Sequence, residues 1–217
     1  DPTWVPFCRE LWSSAEQQQN YLPGVPEGSD LCITPVSAPE NHYVRIKADN
    51  RLDADGTLRG TFTLTAEGQS DSNIRRIFTT GFRSEWKNTM ESQLLAISPK
   101  AKLLSVDYGK NPKDYQAAPI KITFRYEIPD YALKGEKEMF FRPLVMNNLY
   151  NQVRSYLRID TSLKERKYGF KDGCSRLVEL DETIQLPAGY KLANADKNET
   201  MQGTGADFEG SLAQQGN

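Results

Sequence analysis

Ile120-Lys121-Ile122-Thr123-Phe124-Arg125-Tyr126-Glu127-Ile128 decides the fold, because its apolar and polar residues alternate without a fault. Successive side chains of a strand point to opposite faces, so a period of two gives one face to a core and the other to water. Pro129-Asp130 ends the run, and Met139–Val145 is expected as its partner across the Lys134-Gly135 loop.

The same period appears on either side. Val44, Ile46 and Ala48 alternate with Tyr43, Arg45 and Lys47. Leu58, Phe62 and Leu64 alternate with Arg59, Thr61, Thr63 and Thr65. Asp53-Ala54-Asp55-Gly56 lies between these runs and reads as a hairpin turn, since Asp and Gly tolerate the positive φ of tight turns. Val178, Leu180, Ile184 and Leu186 repeat the pattern, with Pro187-Ala188-Gly189 as the next turn.

One stretch changes period. Ile74, Ile77, Phe78 and Phe82 fall at helical spacing, with Ser70 or Asp71 as the expected cap and Gly81 weakening the end. Trp86, Met90 and Leu94 are spaced four apart behind Ser84, a second expected cap, and Pro99 stops that helix. This pair, over about 70–97, forms one helical insertion. Residues 146–158 fit a helix or a strand equally well. The expected fold is mainly β (α+β): an antiparallel β-sheet or sandwich with a two-helix insertion.

The ends are less regular. Six prolines fall in residues 1–41, where a short helix is expected at Glu10–Gln19 and a turn-rich linker at Tyr21–Gly28. The tail from Ala193 is polar and Gly-rich and is expected to form a weak edge strand or to fray. Within it, Phe208–Leu212 reads as a strand whose partner would follow it.

Composition excludes several roles. The net charge is −2 and Lys and Arg form no run, whereas a duplex binder needs a basic stripe to displace counterions. No stretch approaches the ~20 apolar residues of a membrane-spanning helix. The three cysteines, Cys8, Cys32 and Cys174, form no CxxC pair or Cys/His cluster, so no metal site and no cofactor is expected. Cys8 and Cys32 are a candidate disulfide, against three separate thiols. Without an initiator Met or a signal peptide, the chain is expected to be a processed form or a piece of a longer protein.

The chemistry-bearing residues read as structural. His42 is the one histidine, it opens a strand, and no G-x-S-x-G elbow accompanies it. It is expected to be a solvated or hydrogen-bonded strand-end residue. Asp53-Ala54-Asp55-Gly56 fails as a calcium loop, which would need an acid at Arg51 and a Glu at Phe62. Glu85, Glu91, Glu127, Glu136, Glu138, Glu179, Asp181 and Glu182 read as solvated strand and loop positions rather than a facing glycosidase pair. Trp4 and Trp12 are candidate aromatic platforms, while Trp86 belongs to a helix core. Gly203-Thr204-Gly205 lacks the strand-to-helix setting of a phosphate loop.

Asp1-Pro2-Thr3 followed by Trp4 resembles the end of a bacterial transglutaminase-like (papain-like) catalytic domain. In that family a Cys, a His and an Asp form the triad, and the Asp is often followed by Pro-Thr. Tyr21-Leu22-Pro23-Gly24-Val25-Pro26-Glu27-Gly28-Ser29-Asp30-Leu31 resembles the stretch that leads out of that domain in multi-domain exported proteins. Leu52–Gly56 and Glu182–Tyr190 are similar to the downstream β-rich domain of unknown function.

The resemblance implies that Asp1 is the third member of an incomplete triad, orienting the His. It implies a division into residues 1–41, the tail of the catalytic domain with its linker, and 42–217, the β-rich domain. The family's Cys and His precede this Asp, so the chain by itself is expected not to be an enzyme. The implied protein is exported, periplasmic or cell-surface, and the implied partner is the catalytic domain of the parent chain. The function expected is a non-catalytic β module, structural or substrate-positioning. An independent glycan- or protein-binding surface module is the alternative.

Overall fold

The alternating segments assemble as one sheet in a computed structural model that describes residues 16–114, 119–145, 164–165, 167–169, 174–193 and 197–216. Two short strands come first, β1 (Asn20–Tyr21) and β2 (Cys32–Ile33), paired antiparallel. The hairpin β3 (Val44–Leu52) and β4 (Leu58–Ala66) follows. Its loop closes as the sequence predicts. Gly56 has φ +90°, its N–H donates to Asp53 O at 2.9 Å, and Asp55 Oδ1 accepts the Thr57 N–H at 2.8 Å.

Helices α1 (Gly68–Thr79) and α2 (Trp86–Ile97) then lead to β5 (Lys102–Asp107) and β6 (Ile120–Ile128). The small hairpin β7 (Leu133–Lys134) and β8 (Met139–Phe140) precedes β9 (Val178–Gln185). A separate antiparallel pair, β10 (Lys197–Gln202) and β11 (Asp207–Leu212), closes the described chain. The strand order of the main sheet is β5-β6-β4-β3-β9. Among the described residues the arrangement is mainly β with two α-helices of twelve residues each, as the sequence predicts.

The inner face of the sheet carries Val44, Ile46, Ala48, Phe62, Ile122, Phe124 and Ile128, all buried. Ile74 and Phe78 of α1 and Trp86, Met90 and Leu94 of α2 join the same core. Burying each such side chain contributes roughly 1.5–3 kcal/mol. Phe62 and Phe124 stack at 4.4 Å between centroids. The outer face is polar, with exposed cross-strand pairs such as Arg45–Glu179 and Lys47–Asp181.

Several sequence expectations are corrected. The β3–β9 pairing is parallel, not antiparallel; alternation along a strand encodes which face is buried but not the direction of its neighbour. The partner expected at Met139–Val145 is only the two-residue β8, bonded to β7. The partners of β6 are instead β4 and β5. Strand β5 was hidden by a bulge between Leu103 and Ser105, which puts two leucines side by side and breaks the alternation. The partner of β11 precedes it rather than follows it.

The helix termini also differ. Glu67 holds the N-cap position of α1, so Ser70 and Asp71 lie inside its first turn. Glu85 holds that position for α2, and Ser84 sits in a 3-10 turn, Arg83–Glu85. Helix α1 stops at Thr79, which leaves Phe82 77% exposed rather than on an apolar helix face. Residues 16–18 form a turn, and the rest of the helix expected at Glu10–Gln19 lies outside the described residues. So do residues 146–158.

Candidate functional site

Asp1, the residue placed in a triad by resemblance, lies outside the described residues, as do Cys8, Trp4 and Trp12. Cys32 and Cys174 are not joined in a disulfide. Among the described residues no three His, Cys, Asp or Glu side chains converge as a metal site would require, and no helix is long and apolar enough to cross a membrane. Three other constellations hold the buried polar chemistry.

The first surrounds His42, which is buried in a 3-10 turn just before β3. Its Nδ1 accepts the backbone N–H of Gln69 at 3.0 Å, in the first turn of α1. A helix start leaves N–H groups without intrahelical acceptors, and here the imidazole supplies one from outside. Gly68 makes the approach possible. It sits at φ +59°, and a Cβ there would run into Asn41 O and His42 Nδ1. The Ser70 hydroxyl donates back to His42 O at 3.0 Å.

His42 Nε2 lies 3.4 Å from the Gln17 side-chain amide nitrogen, and that nitrogen donates to Cys174 Sγ at 4.0 Å. Burial, helped by the charge of Arg176, holds the imidazole pKa below its ordinary value. The neutral ring is the form that can accept the Gln69 N–H. Cys174 is itself buried, and its thiol donates to the neighbouring Ser175 O at 3.1 Å. A reactive thiolate needs an electropositive and partly exposed setting. His42 is thus hydrogen-bonded, as the sequence predicts, and it is buried rather than solvated.

The second is a polar chain across the inner face. The Tyr126 hydroxyl donates to Asn50 Oδ1, and Asn50 Nδ2 donates to Glu182 Oε1 at 2.8 Å. The Glu182 carboxylate also accepts Leu144 N–H at 3.0 Å and Val145 N–H at 2.9 Å. Glu182 was expected to be a solvated strand position. Instead, it shares the parity of Leu180 and Ile184 along β9 and faces inward with them. Desolvation raises its pKa, opposed by the bonds from Val145, Leu144 and Asn50. Desolvation and the nearby Glu182 charge likewise push the Tyr126 hydroxyl upward.

The third constellation is an open cleft of about 340 Å³ at the start of α2. Arg83, Trp86, Val106, Asp107, Tyr108 and the loop from Gly109 to Pro112 line it. Phe78, Trp86 and Tyr108 form an edge-to-face cluster, with centroids 5.1, 5.6 and 5.4 Å apart. Trp86 Nε1 and the Tyr108 hydroxyl are buried with no acceptor among the described residues. A buried donor left without a partner costs roughly 1–3 kcal/mol. Burial raises the Tyr108 pKa.

Helix α1 fixes the loop of this cleft. Arg75 is only 2% exposed; its Nε donates to Asp71 Oδ2 at 2.6 Å and its NH1 group to Pro112 O and Asp114 O at 3.0 and 2.8 Å. Asp71 Oδ1 accepts the Ile120 N–H at 2.7 Å, at the first residue of β6. One buried ion pair therefore ties the helix, the loop and the sheet together. The i,i+4 spacing of Asp71 and Arg75 was a signal for it in the sequence. Tyr108 and Asn50 carried no signal, because isolated polar residues in strands and loops follow no pattern.

No protein-family model matches the chain, and no curated protein or solved structure is significantly similar to it.

Proposed function

We propose that the chain is a non-catalytic β module, structural or substrate-positioning, of a transglutaminase-like exported protein whose catalytic domain is its partner. The parent is suggested by the residues Asp1-Pro2-Thr3-Trp4 and by the linker and turn stretches that resemble the region after such a domain. The non-catalytic part of the reading rests on one observation. The described groups best suited to acid–base or nucleophilic work are committed to bonds that hold the fold. His42 caps α1, Glu182 anchors Leu144 and Val145, and the Cys174 thiol is buried against Ser175 O. A general base must reach the proton it abstracts in a bound substrate, and these groups face protein instead.

The parental reading frame tests the first part. A Cys and then a His within a transglutaminase-like segment upstream of Asp1 are expected, and a frame without them overturns it. A second reading, an independent module that binds glycan or protein, is favoured by the open cleft beside Trp86 and Tyr108, which Arg83 and Lys110 also line.

A further inference from the structure

We infer that the outer edge of β11 pairs antiparallel with β11 of a second copy of this chain, whether or not a catalytic domain precedes it. The two hairpins then form one sheet in the order β10-β11-β11-β10.

The hairpin is amphipathic and has no cover. Lys197, Glu199, Met201, Phe208, Gly210 and Leu212 share one face, with Met201 directly opposite Phe208. The other face is polar throughout, from Asn198 to Ser211. Every residue of both strands is exposed except Gly210, which is half-buried. Neither strand bonds to any other described strand. A lone two-stranded hairpin is marginal in water, and further strands beside an apolar face stabilise it. Its geometry is nonetheless fixed at both ends. The Gly203 N–H donates to Asp207 Oδ1 at 3.2 Å, and the Leu192 N–H donates to Gln214 Oε1 at 2.9 Å.

The other open edges carry devices against strand addition. Strand β5 opens on Lys102 and is bulged between Leu103 and Ser105, and β9 turns the charged Glu182 inward. Strand β10 opens on Lys197. Strand β11 has no Lys, no Pro and no break in register.

Self-complementarity makes the occupant a second copy. A two-fold axis perpendicular to the sheet keeps both apolar faces on one side. Two registers then overlap nearly the whole of β11. One, centred on Glu209, sets that carboxylate against itself. The other, centred on Gly210, sets Phe208 opposite Leu212 and Glu209 opposite Ser211, with no like charges facing. The Phe208 ring lies over the bare Gly210, where a Cβ would meet it at 2.9 Å. The two rings thus cover the glycines at the axis. The sheet closes at two copies, because β10 with its Lys197 forms both outer edges. So small a contact implies a concentration-dependent dimer rather than an obligate one.

Sedimentation of the full chain over a concentration series tests this. A monomer–dimer equilibrium is expected, with amide exchange slowing in Asp207–Leu212 more than in Lys197–Gln202 as concentration rises. Ser211 is exposed and faces the neutral Asn198 within its own hairpin, so its charge can be changed at the seam alone. Ser211→Lys, opposite Glu209 of the second copy, should dimerise at least about tenfold more tightly than Ser211→Glu, which opposes like charge at both equivalent positions. Unchanged unfolding midpoints at low concentration show both variants folded. A chain that stays monomeric, a dimer without slowed exchange in β11, or equal affinity in the two variants overturns the assignment.

Discussion

The Tyr126 hydroxyl reaches Asn50 from two strands away, across the bare backbone of Gly60. Gly60 lies opposite both residues in the register, and a Cβ on it would collide with Asn50 Oδ1 and lie 2.5 Å from Asp49 O. The missing side chain is the channel through which the hydrogen bond runs. It couples β6 to β3 on the buried face, and through Glu182 to β9 and to residues 144–145.

Gly60→Ala should therefore destabilise more than Tyr126→Phe. Removing the hydroxyl leaves Asn50 Oδ1 without its donor, a loss of about 1–2 kcal/mol. The methyl group of alanine meets backbone as well as the Asn50 side chain, and overpacking of this kind costs about 1–3 kcal/mol or more. Urea unfolding of the two variants checks the order. Combining Tyr126→Phe with Asn50→Leu should cost less than the sum of the singles, because they share one bond.

Acid should weaken the fold through His42. Its ordinary pKa is 6.5, and burial and Arg176 hold the native value lower. Below pH 6.5 the unfolded imidazole takes up a proton that the native one refuses. The contribution is thus fully present above that pH and is lost as pH falls toward the native value. Glu182 acts with the opposite sign. Its native pKa is raised above 4.5, so its contribution is present below 4.5 and fades as pH rises through the native value. Unfolding midpoints at about pH 7.5 and 5.5 should show a smaller drop in His42→Gln than in the unmodified chain.

Breaking the buried pair should loosen the cleft as well as the fold. Arg75→Met strands the Asp71 carboxylate in the interior, and loss of one partner of a buried pair costs about 3–5 kcal/mol. It also removes the donors that hold Pro112 O and Asp114 O. Amide exchange across residues 109–114 should accelerate in this variant, while the centre of β4 keeps its protection.

Truncating Trp86 to Ala should cost roughly 3–5 kcal/mol, since the ring is buried against Phe78 and Tyr108. Thermal or denaturant unfolding measures this, and a loss below ~1 kcal/mol would contradict the packing of α2 on the sheet.

Burial pattern was legible in the sequence because it is written in periodicity. Ile120–Ile128 alternates perfectly, and every inward residue of that run is buried. Trp86, Met90 and Leu94 are buried as their spacing of four predicts. Partner choice was not legible: nothing in Val178–Gln185 says that it lies parallel to β3. Glu182 shares the parity of Leu180 and Ile184, so its inward face was legible; its partners were not, because they depend on β9 lying beside β3 and on the backbone at residues 144–145. The cleft was hidden for a related reason. Tyr108 follows a bulged strand, and the Arg75–Asp71 pair acts through carbonyl groups that carry no sequence signal. His42 was recognisable as a hydrogen-bonded residue, but its role as the cap of α1 depends on the left-handed backbone at Gly68.

The most direct measurement is turnover by the purified chain, read as incorporation of a primary amine into a glutamine-containing peptide and as hydrolysis of the same peptide. The non-catalytic reading predicts rates indistinguishable from buffer for the unmodified chain and for Cys174→Ser alike. Turnover by the unmodified chain that disappears in Cys174→Ser would contradict it and would make the Gln17–His42–Cys174 cluster an active site.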